Sequence, residues 1–356
     1  MSSMHTLARA TDRRSPRGRP IAVAGLTAAA LAATAAWVAR KARQAEASDP
    51  PKGRFVSVDG MRMHFVERGR GMPLVLLHGN NARLEDFMVG GLIDRLAERY
   101  HVIAFDRPGY GYSQRPRNRI WTADAQADVI RRALSQLRIG PAIVLGHSWG
   151  TLVALALAMQ APVAVRKLIL VSGYYFVTPR LDVALALPPA IPIIGDALRY
   201  TVSPLLGRLL LGRAVRAMFA PQPVPPEFMS TLGREMMLRP SQIRADAEDA
   251  AVMLPSAASL SKRYGELDTP TVILAGDADV IVDPDAHSRR LHVALLQSEL
   301  WIVPGFGHML HHGAPERLLS VLEGCESNGE ALSGRRPVNA SRLNPSDHAE
   351  TGHRVS

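Results

Sequence analysis

Short apolar runs alternate with segments of helical period along most of this chain. Phe55-Val56-Ser57-Val58 and Met61 to Val66 bracket Asp59-Gly60, a pair that predicts a hairpin closed by a type I′ turn. Leu74 to Leu77, Val102 to Phe105, Ala142 to Leu145, Leu168 to Val171, Thr271 to Ala275 and Leu300 to Val303 are continuous apolar runs. Such runs fit strands buried on both faces of a parallel sheet. Helical periodicity separates them, as over Asp124 to Leu137, so the pattern predicts an α/β fold doubly wound around a mostly parallel sheet. Between Val171 and Thr271 lies far more chain than one crossover needs. Leu181 to Leu211 is rich in Leu, Ala and Pro with few charges, Phe219 through Pro226 is broken by prolines, and Glu235 to Met253 returns to a charged helical period. A helical cap over about residues 177–265, inserted after the sixth strand, is expected to shape a pocket and exclude water. Its apolar side chains serve equally as pocket wall or as packing onto the core.

The ends depart from this pattern. Residues 1–20 are basic, with Arg9, Arg13, Arg14, Arg17 and Arg19, and residues 21–39 are uncharged and hold ten alanines. The stretch is long enough for a membrane anchor, though its alanines make insertion weak; a signal segment or an alanine-rich soluble helix are the other readings. Arg40, Lys41, Arg43, Lys52 and Arg54 balance the charges before it, so the positive-inside rule assigns no orientation. Residues 40–53, ending near Pro50-Pro51, read as a linker to the α/β domain over 54–325. Residues 326–356 are polar and expected to be disordered.

The chain has 356 residues, 47% of them hydrophobic, which is ample for a large core. Its net charge of +10 would suit a nucleic acid, but residues 1–54 hold ten Lys or Arg against Asp12, Glu46 and Asp49, so most of the excess flanks the apolar segment. Attraction to anionic lipid explains that placement better, and no nucleic-acid partner is expected. The single Cys325 excludes an internal disulfide.

Gly146-His147-Ser148-Trp149-Gly150 ends one apolar run and opens directly into an alanine-rich helix. That is the pattern of a nucleophile elbow, where a sharp strand-to-helix turn projects the serine hydroxyl from the sheet edge. A serine needs a histidine to take its proton and a carboxylate to orient that histidine. Asp277 and Asp279 follow the apolar run at Thr271, and His308 follows the last run in the glycine-containing loop Pro304-Gly305-Phe306-Gly307. Asp283 precedes Pro284 and reads as a helix cap. His311 and His312 read as surface residues, and His78 and His147 as structural ones.

With His78-Gly79-Asn80 after one strand and Asp106 to Ser113 after the next, the set resembles the α/β-hydrolase superfamily over most of residues 54–323. The resemblance implies Ser148 as nucleophile, His308 as general base and then acid, and Asp279 as its partner, three residues after Gly276. It leaves Asp277 as a turn residue, the rival for that role. It also implies an oxyanion hole made by the backbone amides of Asn80 and Trp149, each such donor contributing about 2.7 to 4 kcal/mol. Asn80 and Trp149 further resemble the halide-binding pair of haloalkane dehalogenases, which use a carboxylate nucleophile. A serine would form an ether with no hydrolytic exit, so Ser148 points to acyl chemistry. The expected activity is hydrolysis of a small or lipid-like carboxylic ester without cofactor or metal. Amide hydrolysis, cleavage of a carbon-carbon bond in a dienone acid, perhydrolysis and a non-catalytic ligand-binding role remain as alternatives.

Overall fold

The computed structural model describes residues 18–327. Eight strands lie in one sheet: β1 (Arg54–Val58), β2 (Met61–Arg68), β3 (Met72–Leu77), β4 (Tyr100–Phe105), β5 (Ala142–His147), β6 (Val165–Val171), β7 (Thr271–Gly276) and β8 (Ser298–Val303). Their order is β1-β2-β4-β3-β5-β6-β7-β8. β1 and β2 pair antiparallel, as do β2 and β4, and the remaining pairs are parallel. Asp59 and Gly60 both take positive φ at the first hairpin, as a type I′ turn requires.

The continuous apolar runs have a direct physical cause. All six residues of β5 and of β7 are buried, because helices cover both faces of the central sheet. Five helices matter below: α1 (Gly18–Ser48), α2 (Ala123–Gln136), α3 (Gly150–Gln160), α4 (Val202–Phe219) and α5 (Pro240–Ser261). α2 begins at Thr122, whose side chain accepts from the Ala125 amide at 3.2 Å. α3 is buried over Gly150 to Ala158, which explains its lack of charge. Between β6 and β7 the chain is mainly helical, and its longest element, α5, packs against α2 and α3. Parallel pairing brings the carboxyl ends of β3, β5, β7 and β8 to one edge. Leu77 lies beside Gly146, His147 beside Val171 and Gly276 beside Val303.

One boundary differs from expectation. The linker expected over 40–53 is helical as far as Ser48, since α1 continues through Arg40 to Ala47 before Pro50-Pro51 stops it. Those residues are good helix formers, and they are held. Val38 and Ala45 are buried, Glu46 pairs with Arg239 at 2.9 Å, and Asp49 pairs with the buried Arg83. Among the described residues, α1 supplies the one helix long and apolar enough to cross a membrane, over Ala22–Ser48. Among the described residues, 18–315 form one compact unit, and 316–327 are helical. The expectations for residues 1–17 and 328–356 lie outside the described residues.

Candidate active site

β5 ends in a turn that only certain residues can make. Ser148 sits at φ 51°, its amide donating to Val171 at 2.9 Å and its carbonyl accepting from the Thr151 amide at 3.0 Å and hydroxyl at 2.6 Å. A Cβ on Gly150 would stand 2.2 Å from the Leu77 carbonyl oxygen, and one on Gly146 would stand 2.6 Å from that of Gly150. Both glycines are therefore steric requirements of the turn. Gly79 is the close neighbour across the edge, where an added Cβ would meet the Ser148 Cβ at 3.0 Å.

From the loops after β7 and β8 come a carboxylate and an imidazole. His308 Nδ1 lies 2.8 Å from Asp279 Oδ2, with both residues buried. The other oxygen of Asp279 accepts from the Ile281 and Val282 amides at 2.8 and 2.9 Å, fixing the carboxylate plane. Asp277 is occupied elsewhere, accepting from the Gly305 amide at 2.6 Å. Asp283 accepts from the Asp285 and Ala286 amides at the start of the following helical turn. In the tautomer whose Nδ1 donates to Asp279, the His308 Nε2 is free to accept.

His78 and His147 brace these loops. Burial, with Arg107 adding to it, pushes the His78 pKa down to about 4. The neutral ring accepts from the Arg107 amide at Nε2 and donates from Nδ1 to the Gly79 carbonyl at 2.7 Å. Burial, reinforced by His311 and His308, holds His147 well below the ordinary histidine value. Its Nε2 donates to the His308 carbonyl at 3.1 Å.

His311 and His312 are not surface residues. The short turn after His308 folds both inward onto the buried Asp86, His311 Nε2 at 3.0 Å from one oxygen and His312 Nε2 at 2.8 Å from the other. Burial opposes ionisation of Asp86, but His311 and His312 more than offset it and hold its carboxyl well below the usual range. The three ligand atoms lie within 4.8 Å of one another, a set that could hold a divalent ion. The His311 ring stacks at 4.3 Å from that of His147.

Asn80 and Trp149 lie on the same edge, with their side chains committed. Asn80 Oδ1 accepts from Arg107 and faces the Tyr110 hydroxyl, each at 3.0 Å. Trp149 Nε1 donates to the Asp249 carbonyl at 3.1 Å. Behind them lies a buried polar network that local sequence patterns do not reveal. The Asp249 carboxylate, brought by α5, meets Arg107 at 2.6 Å and Arg115, Gln126 and Tyr110 at 2.9 to 3.0 Å. One helical turn earlier, Asp246 accepts from the Asn81 amide at 2.8 Å. Burial, with Asp249 adding to it against the Asn81 and Tyr110 hydrogen bonds, pushes the Asp246 pKa up to about 7. A cleft of about 560 Å³ is lined by Arg180, Ile281 and His287. Ser148 does not line it.

The sequence pattern of the alpha/beta hydrolase fold matches residues 72–315. A protein of Mycobacterium tuberculosis described only as uncharacterized is 30% identical over 292 residues, covering 77% of this chain and 81% of that one. Haloalkane dehalogenase 2 of the same organism is 26% identical over 283 residues, covering 77% of this chain and 94% of that one. Among solved structures, a thermophilic esterase from Thermogutta terrifontis shares the fold at a TM-score of 0.62 and 21% identity, covering 78% of this chain and 99% of that one.

Proposed function

The chain belongs to the alpha/beta-hydrolase fold family, and from that premise we propose that it hydrolyses a carboxylic ester of a small or lipid-like substrate through an acyl-enzyme on Ser148. The observation that carries the proposal is the buried His308–Asp279 pair, held on the sheet edge from which the strained Ser148 turn projects. His308 Nε2 takes the Ser148 proton as the hydroxyl oxygen attacks the ester carbonyl. Negative charge then develops on the carbonyl oxygen, and the backbone amides of Asn80 and Trp149 are the proposed donors to it. Collapse of the tetrahedral intermediate expels the alcohol, which takes its proton from His308. Water, deprotonated by the same imidazole, releases the acid and restores the serine. Asp279 stabilises the imidazolium at both stages without itself becoming protonated.

The likeness to a dehalogenase does not carry that chemistry here. Alkyl-halide hydrolysis needs a nucleophile whose alkyl adduct water can open, and Ser148 would give an ether. Trp149 Nε1 is already engaged by the Asp249 carbonyl rather than left for a halide.

In this reading residues 54–325 are the catalytic domain, residues 177–265 cap it, and α1 anchors it to a membrane. The test is turnover of p-nitrophenyl esters from acetyl to long-chain acyl by the full chain in detergent micelles and by its Ser148→Ala variant. Ester hydrolysis abolished in the variant is the expected outcome, with the preferred acyl length sizing the pocket. No turnover at any length by the folded chain would overturn the ester assignment in favour of an amide, a carbon-carbon bond or ligand binding without catalysis.

A further inference from the structure

α4 is amphipathic in the wrong sense for a helix of a water-soluble protein. Val202, Leu205, Leu206, Leu209 and Leu210 fall at i, i+3, i+4, i+7 and i+8, the spacing of one helical face, and all five are exposed, Leu209 by 78%. The segment leading to it, residues 183–195, has no charged side chain and exposes Leu185, Ile191, Ile193 and Ile194, Ile193 by 82%. Scattered exposed aliphatics are normal, but an ordered stripe continued by a charge-free segment marks an interaction surface. Further along the same helix Arg213 and Arg216 are exposed, so the apolar stripe gives way to cations.

The neighbour of α4 identifies what covers this face. Trp37 of α1 stacks against the Arg208 guanidinium at 4.6 Å, and Arg208 is held in turn by Glu235. Beyond Trp37, α1 is fastened to the catalytic unit through Val38, Ala45, Glu46 and Asp49. Before it, residues 21–36 are uncharged and Ala22 to Ala33 are exposed, with Val23 and Leu26 62% and 72% exposed. From Gly18 to Trp37 a helix rises about 30 Å, the thickness of a bilayer's hydrocarbon core. Trp37 followed by Arg40, Lys41 and Arg43 is the arrangement that marks a membrane–water boundary. The point at which α1 would leave the bilayer is thus the point at which it touches α4.

We propose that the outward face of α4, with the apolar segment before it, lies in the interfacial layer of the same bilayer that α1 enters. The proposal rests on reading α1 as a membrane anchor and deepens the lipid-like ester assignment: the apolar face would set the insertion over the catalytic edge into the acyl region, where a long-chain ester already resides. Arg213 and Arg216 suit the phosphates of anionic headgroups. A protein partner is disfavoured because the stripe of Val202, Leu205, Leu206, Leu209 and Leu210 is itself aliphatic, with no aromatic anchor of the kind that concentrates binding energy at protein interfaces.

The experiment uses the full chain with Cys325→Ser, reconstituted in phosphatidylcholine–phosphatidylglycerol vesicles and carrying one nitrobenzoxadiazole-labelled cysteine at a time. Leu209→Cys reports on α4 and Ala30→Cys on α1; Val202→Cys and Leu206→Cys replace Leu209→Cys should that chain not fold. The expected result is blue-shifted emission at both sites, quenched by nitroxide-labelled lipid and protected from iodide. Lipid quenching at residue 30 with iodide quenching alone at residue 209 would overturn this inference and leave the anchor standing. Iodide quenching at both would remove the anchor and the inference with it. Protection at residue 209 from both quenchers would mean that a polypeptide covers the face, which also overturns it.

Discussion

Asp277 and Asp279 are two residues apart and do different work. Asp279 fixes the His308 ring, whereas Asp277 tethers the β8 loop through Gly305. Asp279→Asn is expected to lower kcat for ester hydrolysis by roughly a thousandfold or more, because an amide at this position favours the wrong imidazole tautomer. Asp277→Asn is expected to change kcat little, and a reversed pattern in steady-state kinetics would undo the assignment. Asp246 makes a different expectation. Its folded pKa of about 7 lies above the ordinary value of 3.8, so the folded state holds the extra proton between them. The stability cost is absent below about pH 4, grows as pH rises through that window and is constant above about pH 7. Asp246→Asn removes it, so the melting temperature of the variant should exceed that of the parent by a margin that widens from pH 5 to pH 7 and then stays level. A margin independent of pH would count against a buried, ionising Asp246. The candidate triad residues were legible in sequence because each sits in a local strand-to-loop pattern. His311 and His312 were misread as surface residues because their partner Asp86 lies 225 and 226 residues away, and no local spacing reports such a contact.

The strands were the most legible elements, since burial on both faces leaves continuous apolar runs and the Asp59-Gly60 turn declares its own φ. Helices between β6 and β7 were recognised as a group, but their boundaries shifted, and the role of α5 was hidden. Nothing local distinguishes Asp249 from other acids on a helix, although it meets two arginines and a glutamine contributed by loops and by α2. Asp249→Ala is expected to destabilise the chain by about 3–5 kcal/mol, since it leaves Arg107 buried without its carboxylate. Urea unfolding followed by tryptophan fluorescence measures this, and a loss below about 1 kcal/mol would show that solvent or Gln126 compensates.

At the scale of the molecule, α1 has two halves of opposite character. Removing residues 1–37 takes away the exposed apolar stretch and leaves Glu46 and Asp49 on Arg239 and Arg83. Removing residues 1–49 strips both buried guanidinium groups of those partners. The chain beginning at residue 38 should therefore lose the bilayer-spanning stretch while keeping the α4 face, and should melt at a higher temperature than the chain beginning at residue 50. Equal melting temperatures would mean that the docked half contributes nothing to stability. This division was hidden in the sequence because Arg40 to Ser48 is polar enough to resemble a linker, and its partners lie in distant loops.

Asp249 also fixes one side of the insertion. α5 cannot swing away from the sheet edge without stripping two buried guanidinium groups of their carboxylate, so it acts as a fixed wall. Residues 183–219 are held differently, by the surface pairs of Asp196 with Arg117 and Arg199 and of Arg208 with Glu235, and by Val215 and Phe219 packed against Phe228 and Met237. A substitution on the outward face of α4 should therefore leave the Asp249 network, and the backbone of Asn80 and Trp149 that it braces, undisturbed.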